Sequence, residues 1–159
     1  MKILVVSDTH GRWGRLSDVV ALQRSAELII HLGDGADDLD NVRFEYPEIA
    51  FMGVTGNCDR SLTMDALGEI TVEGRRIFFT HGHIYDVKYG YERLVEAARR
   101  READICLFGH THEPLSEYID GLYLMNPGSL GHPAYGRPTY GLIEITPAGI
   151  MTNIIEADF

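Results

Sequence analysis

Apolar residues along the chain fall into runs with two periods, separated by short polar segments of unusual composition. Lys2 to Ser7 is a compact β-branched run closed by polar residues, and after Gly14 the stretch "RLSDVVALQRSA" sets Leu16, Val19, Val20 and Leu22 on one helical face. The spacing predicts strand, loop, helix. The same textures return in "ELIIHLG", a strand, "DDLDNVRFEY", a short helix, and "AFMGVTG", a third strand. Strands alternating with helices predict a parallel sheet with short loops at its carboxyl edge.

From residue 68 the texture changes. "EITVEGRRIFFTHGH" holds two runs joined at Glu73-Gly74, a predicted hairpin, and "YERLVEAARRREA" is a helix with Leu94, Val95, Ala97 and Ala98 set against a basic face. "DICLFGH", "LSEYIDGLYLMN" with a turn at Asp120-Gly121, and "TYGLIEITPAGIMTNIIEA" with a turn at Pro147 to Gly149 complete a second half made mainly of strands. Together these elements predict an α/β protein of two β-rich layers flanked by helices. No linker, repeat or low-complexity segment divides residues 1–159, so one domain is expected.

Charge narrows the partners. A formal net charge of −10 opposes a sequence-independent grip on nucleic acid, which depends on lysine and arginine releasing counterions from phosphates. The partner expected is small or held through metal ions, which are often the largest charges in a site. The start, "MKILVVSDTHG", is too short and too soon interrupted for a signal peptide, and no run approaches a membrane span. Cys58 and Cys106 lack a repeated CxxC pattern, so both are expected as reduced thiols in the cytoplasm.

The unusual polar residues stand almost entirely at the carboxyl ends of predicted strands. Asp8 and His10 follow the first strand, Asp34 the second, Asn57 the third, His81 the hairpin, and His110 with His112 follow "CLFGHTH". A parallel sheet brings such ends into one crevice. In "GHTH", alternate residues of an extended segment are expected to project to one side. Two aspartates, one asparagine and four histidines form a set that suits manganese, iron, nickel or zinc better than calcium or magnesium. Seven ligands exceed one tetrahedral ion and suit two ions sharing one carboxylate, with Asp34 between its glycines as the natural bridge. Paired ions roughly 3.5 to 4 Å apart can generate a hydroxide and clamp a phosphoryl group.

The ordered motifs "DTH", "GD", "GNCD", "HGH" and "GHTH", from Asp8 to His112, with "NPGS" at Asn126 to Ser129, resemble the calcineurin-like metallophosphoesterase superfamily. The likeness is closest to its small single-domain bacterial and archaeal phosphodiesterases. It implies a four-layer α/β/β/α sandwich. It also implies that Asp8, His10, Asp34 and His112 hold one metal and Asp34, Asn57, His81 and His110 the other, with Asn57 also able to contact a phosphate oxygen. A metal-bound hydroxide would attack phosphorus while both metals offset the transition-state charge.

Larger relatives carry, where this chain has Cys58, a histidine that is thought to protonate the leaving oxygen. A thiol with a reference pKa near 8.5 is a poorer match for that task than an imidazole near 6.5. A packing role is the leading expectation for Cys58, ahead of proton donation, loose metal contact and nucleophilic attack. By the resemblance Asp59 orients the site, holding a loop or a neighbouring imidazole. His83, two residues past His81, is the substitute acid or substrate contact, or else a hydrogen-bond partner of a ligand. His31 is expected to be a buried, satisfied histidine. In "LGHPAYGRP", which contains His132, relatives often have an arginine after the proline; Ala134 stands there, and Arg137 is the candidate substrate contact in its place.

The function expected is a metal-dependent phosphodiesterase, manganese first among its ions, with an open crevice acting on small phosphodiesters. Phosphomonoesters and a nuclease activity are lesser alternatives. A non-catalytic interaction scaffold is the competing class, since a eukaryotic retromer subunit shares the implied fold. A homodimer is expected from family likeness alone.

Overall fold

The computed structural model describes residues 1–159. Strand β1 (Lys2–Val6) leads to helix α1 (Trp13–Leu22), β2 (Leu28–His31), α2 (Ala36–Glu45) and β3 (Ala50–Gly53). Then come β4 (Leu67–Val72), β5 (Arg75–Thr80), two short 3₁₀ turns, α3 (Glu92–Arg100) and β6 (Ile105–Leu107). The chain closes with β7 (Pro114–Ile119), β8 (Leu122–Pro127), β9 (Thr139–Thr146) and β10 (Gly149–Glu156).

Two five-stranded sheets result, in the orders β10-β9-β1-β2-β3 and β4-β5-β6-β8-β7. β1, β2 and β3 run parallel, as do β5, β6 and β8, while β9 and β10 in the first sheet and β4 and β7 in the second pair antiparallel. Alternation along each strand decides the layering. Ile3 and Val5 of β1 meet Ile77 and Phe79 of β5 and Ile105 and Leu107 of β6 in the apolar layer between the sheets. Leu4 and Val6, on the other face of β1, pack on Leu16, Val19 and Val20 of α1 and Val42 of α2. Phe78, Cys106 and Leu124 turn outward from the second sheet onto Leu94, Ala97 and Ala98 of α3. The fold is therefore a four-layer α/β/β/α sandwich, and its central strands are near-continuous apolar runs because both of their faces are covered.

Leu22 departs from the expected helical face. It ends α1 and is exposed, because Leu16, Val19 and Val20 already fill the contact with the sheet. No helix is long and apolar enough to cross a membrane.

Candidate metal centre

The loops at the carboxyl ends of the parallel strands are tied to one another by their backbones. The Asp8 N–H donates to the Gly33 carbonyl at 3.0 Å, His10 N–H to the Asp34 carbonyl at 3.0 Å, and Gly109 N–H to the His81 carbonyl at 2.9 Å. Asp8, His10, Asp34, His110 and His112 all adopt left-handed backbone, with φ of 54°, 46°, 56°, 69° and 60°. Each such residue costs about 1–3 kcal/mol, a concentration of strain characteristic of functional sites. His110 and His112 thus reach the crevice from a curled loop, and the expectation of an extended segment with alternating side chains is corrected. Glycine is required where the loops touch: a Cβ on Gly56 would lie 2.1 Å from Asp34 Oδ1.

The seven candidate ligands converge in two overlapping groups. In the first, His112 Nε2 is 3.1 Å from Asp8 Oδ1, and His10 Nε2 lies 3.3 Å from His112 Nε2, 3.6 Å from Asp8 Oδ1 and 3.7 Å from Asp34 Oδ2. In the second, His81 Nε2 stands 3.3 Å from Asp34 Oδ2, 3.0 Å from Asn57 Oδ1 and 3.2 Å from His110 Nδ1. Asp34 Oδ2 faces a histidine of each group. So does Asp8 Oδ1, which is 3.9 Å from His81 Nε2.

The chemistry of these atoms fits cations. His81 Nδ1 donates to the Leu32 carbonyl at 2.7 Å and His112 Nδ1 to the His132 carbonyl at 2.5 Å, so in each neutral ring the Nε2 facing the carboxylates carries the lone pair. Asp8 Oδ1 is buried without a hydrogen-bond partner, although Oδ2 accepts from Ser7 Oγ at 2.5 Å and from His110 N–H at 3.1 Å. Acceptors facing acceptors need positive charge between them, from protons or from metal ions. Burial opposes ionisation of Asp34, yet its hydrogen bond with His81 holds the carboxyl down at about 2. Burial likewise opposes the Asp8 carboxylate, and His10 and His112 hold its pKa far below the usual range. The reciprocal shifts are upward: burial disfavours the His81 cation, but Asp34 and Asp8 raise it, and the facing Asp8 carboxylate raises His112. His110, pressed by burial and by His81, falls to about 4.

Around this centre Asp59 holds a loop rather than an imidazole. Its carboxylate accepts the backbone N–H groups of Asp34 (2.8 Å), Gly35 (2.9 Å), Ala36 (3.0 Å) and Gly56 (2.8 Å), capping α2 and joining two loops. Cys58 is exposed, so the expected packing role is corrected. Its N–H donates to Asp34 Oδ1 at 2.8 Å, and its Sγ lies within 4.8 Å of ligand atoms of His10 and Asp34. Burial and the Asp34 charge push its thiol pKa up. His83 sits with its ring centroid 5.4 Å from that of His81, its Nδ1 buried and unpartnered, and its pKa lowered by burial and by His81. Arg137 is drawn elsewhere, to Asp158 Oδ1 at 2.8 Å, and no hydrogen bond or ion pair joins it to the cluster.

Sequence reasoning gave no role to Ser7, Asn126 or Ser129. Ser129 Oγ donates to the Asp8 carbonyl at 2.8 Å, and Asn126 Nδ2 donates to the Gly109 carbonyl and to Thr111 Oγ1, each at 3.0 Å. The available signal was the polar "NPGS" at the end of a strand, the same signal that marked the ligands.

A crevice of about 230 Å³ opens beside His10, Asp34 and Cys58 and adjoins a hollow of about 240 Å³ bordered by Asp37, Asp40 and Arg60. A larger hollow of about 330 Å³, on the outer face of β4 and β5, contains none of the candidate ligands.

Stacked sheets whose strand-end loops gather two carboxylates, an amide and four imidazoles define the class: an α/β sandwich with a candidate centre for divalent metals. The chain belongs to the calcineurin-like phosphoesterase superfamily, whose domain profile matches residues 1–147. A probable metallophosphoesterase of Mycoplasma pneumoniae is 35% identical over 154 residues, covering 94% of this chain and 92% of its own. Phosphodiesterase YfcE of Escherichia coli K12 is 29% identical over 168 residues, covering 91% of this chain and 88% of its own. Vps29 from Entamoeba histolytica, as a single mutant, shares the fold with a TM-score of 0.76 and 22% identity, over 99% of this chain and 100% of that one.

Proposed function

We propose that this chain is a phosphodiesterase that hydrolyses small phosphodiesters at a centre of two divalent metal ions, with manganese as the preferred ion and nickel, iron and zinc as alternatives. The reading rests above all on the buried, unpartnered Asp8 Oδ1 facing imidazole nitrogens whose other ring atoms are already committed to backbone carbonyls. Relatives that carry the names metallophosphoesterase and phosphodiesterase over most of the chain support it. Asp8, His10, Asp34 and His112 would hold one ion, and Asp34, Asn57, His81 and His110 the other. When bound, such a pair supplies a nucleophilic water of lowered pKa and positive charge against the phosphoryl oxygens.

The remaining work falls to the chain. The Asn57 amide, directed at His81 by its Oδ1, has an Nδ2 able to donate to a phosphoryl oxygen. His83 is the candidate donor to the leaving oxygen, because its Nδ1 lies buried beside the cluster without a hydrogen-bond partner. Asp59 fixes the loops of Asp34 and Asn57 without touching substrate. Arg137 is left out of the proposed contacts, since Asp158 already holds it. The shallow crevice suits a small diester better than a polymer, and the net charge of −10 adds nothing to attract a polyanion.

The test is hydrolysis by metal-stripped protein restored with manganese, using a nitrophenyl phosphodiester, the matching monoester and a diester with an alkyl leaving group. Turnover of the nitrophenyl diester that requires metal and disappears in Asp8→Ala is the expected result. Absence of turnover with any divalent metal would sink the proposal and favour a non-catalytic scaffold.

A further inference from the structure

Beneath the candidate centre lies a buried polar chain that none of the proposed steps uses. Thr9, His31 and Asp38 are 0%, 1% and 4% exposed. The Gly33 N–H donates to His31 Nδ1 at 3.1 Å, which leaves the proton of the neutral ring on Nε2. His31 Nε2 is 3.1 Å from Thr9 Oγ1, which in turn donates to Asp38 Oδ2 at 2.5 Å. The same carboxylate oxygen accepts the Gly11 N–H at 2.9 Å. Every donor in this chain therefore points the same way, from the loop after β2, through the loop after β1, to the first turn of α2. Burial lowers the His31 pKa and keeps the ring neutral, as the direction of the bonds requires.

The location gives the chain its consequence. Thr9 stands between Asp8 and His10, and both neighbours are held in left-handed backbone, with φ of 54° and 46°. Asp34, across the gap, is held at 56°. Strained conformations persist only where surrounding structure over-determines them. A Cβ on Gly35 would stand 1.9 Å from Thr9 Oγ1 and 2.8 Å from His31 Nε2, so the loop after β2 closes directly on this network. A valine at position 9 would have nearly the same shape but would strand the His31 proton and one Asp38 acceptor in a dry interior, which the loops can relieve only by shifting.

We propose that Thr9, His31 and Asp38 form a positioning network that fixes the spacing of Asp8, His10 and Asp34 and thereby sets the affinity of the centre for divalent metal. This rests on the reading of those residues as metal ligands. None of the three touches substrate or the reacting atoms. Their effect passes through the two loops.

The experiment measures Mn²⁺ binding to metal-stripped protein by calorimetry, with thermal melting of the same samples, for the wild type and for Thr9→Val, Thr9→Ser and His31→Asn. Asparagine keeps an acceptor for the Gly33 N–H but cannot reach Thr9, so it severs the chain from its other side and serves if Thr9→Val does not fold. Thr9→Val and His31→Asn are expected to weaken Mn²⁺ binding by about 10- to 100-fold, the usual cost of removing groups that orient ligands, while Thr9→Ser stays within about threefold of the wild type. Folded variants that lose thermal stability but bind Mn²⁺ as the wild type does would overturn the positioning role. A wild type that binds no divalent metal would instead overturn the metal-centre reading, and this proposal with it.

Discussion

At residue scale, protons and the proposed metal ions would compete for the same atoms. His81 and His112 must shed a proton before Nε2 can coordinate, and both are raised above the ordinary imidazole range: burial works against the His81 cation but Asp34 outweighs it, and the facing Asp8 carboxylate raises His112. Apparent Mn²⁺ affinity should therefore keep rising as pH increases above 6.5, with protons released on binding, seen as a calorimetric heat that depends on the buffer. An affinity already level at pH 6.5 would contradict these shifts. Cys58 gives a second prediction. An exposed thiol with a raised pKa is a weak acid catalyst, so Cys58→Ala should keep nitrophenyl diester turnover within about tenfold, against the 10²–10⁴-fold typical of losing a general acid. The candidate ligands were legible in the sequence because charged and imidazole groups ended apolar runs, where nothing in local structure calls for them. The exposure of Cys58 was not legible, since it depends on how two loops from different strands meet.

At the scale of elements, one side chain joins three pieces of the fold. Asp59 receives four backbone N–H groups, two of them at the start of α2, whose own N-cap residue Gly35 has no side chain to offer. Charged acceptors are worth about 1.5–3 kcal/mol per hydrogen bond, and bonds that share one carboxylate do not add fully, so Asp59→Ala should cost about 3 kcal/mol in denaturant unfolding. A loss below about 0.5 kcal/mol, the range of ordinary surface changes, would show that the clamp is dispensable. The elements themselves were readable from periodicity, with β1, α1, β2, α2 and β3 in the expected order. Sheet order was not. β8 inserts between β6 and β7, and β9 returns to pair with β1, by pairings over long sequence separations that no local pattern encodes. The curled path of His110 and His112 was hidden for the same reason: their loop is tied to Asp8 through the His110 N–H and to Asn126 through the Gly109 carbonyl, partners far away in sequence.

For the whole molecule, the sandwich supplies a rigid base and leaves the strand-end crevice beside a hollow bordered by Asp37, Asp40 and Arg60. A net charge of −10 should leave diester hydrolysis indifferent to added DNA, since acidic groups outnumber the lysines and arginines that would hold a polyanion, 24 to 14. The fold alone does not fix the activity, because Vps29, which does not carry the name of a phosphodiesterase, shares it. The ligand set decides what must be measured: Mn²⁺ titrated into metal-stripped protein, with bound ions per chain and nitrophenyl diester hydrolysis followed in the same samples. Two ions should bind per chain, with turnover appearing as the second site fills. Turnover without metal, or two bound ions with no turnover of diester or monoester, would contradict a phosphodiesterase built on this centre.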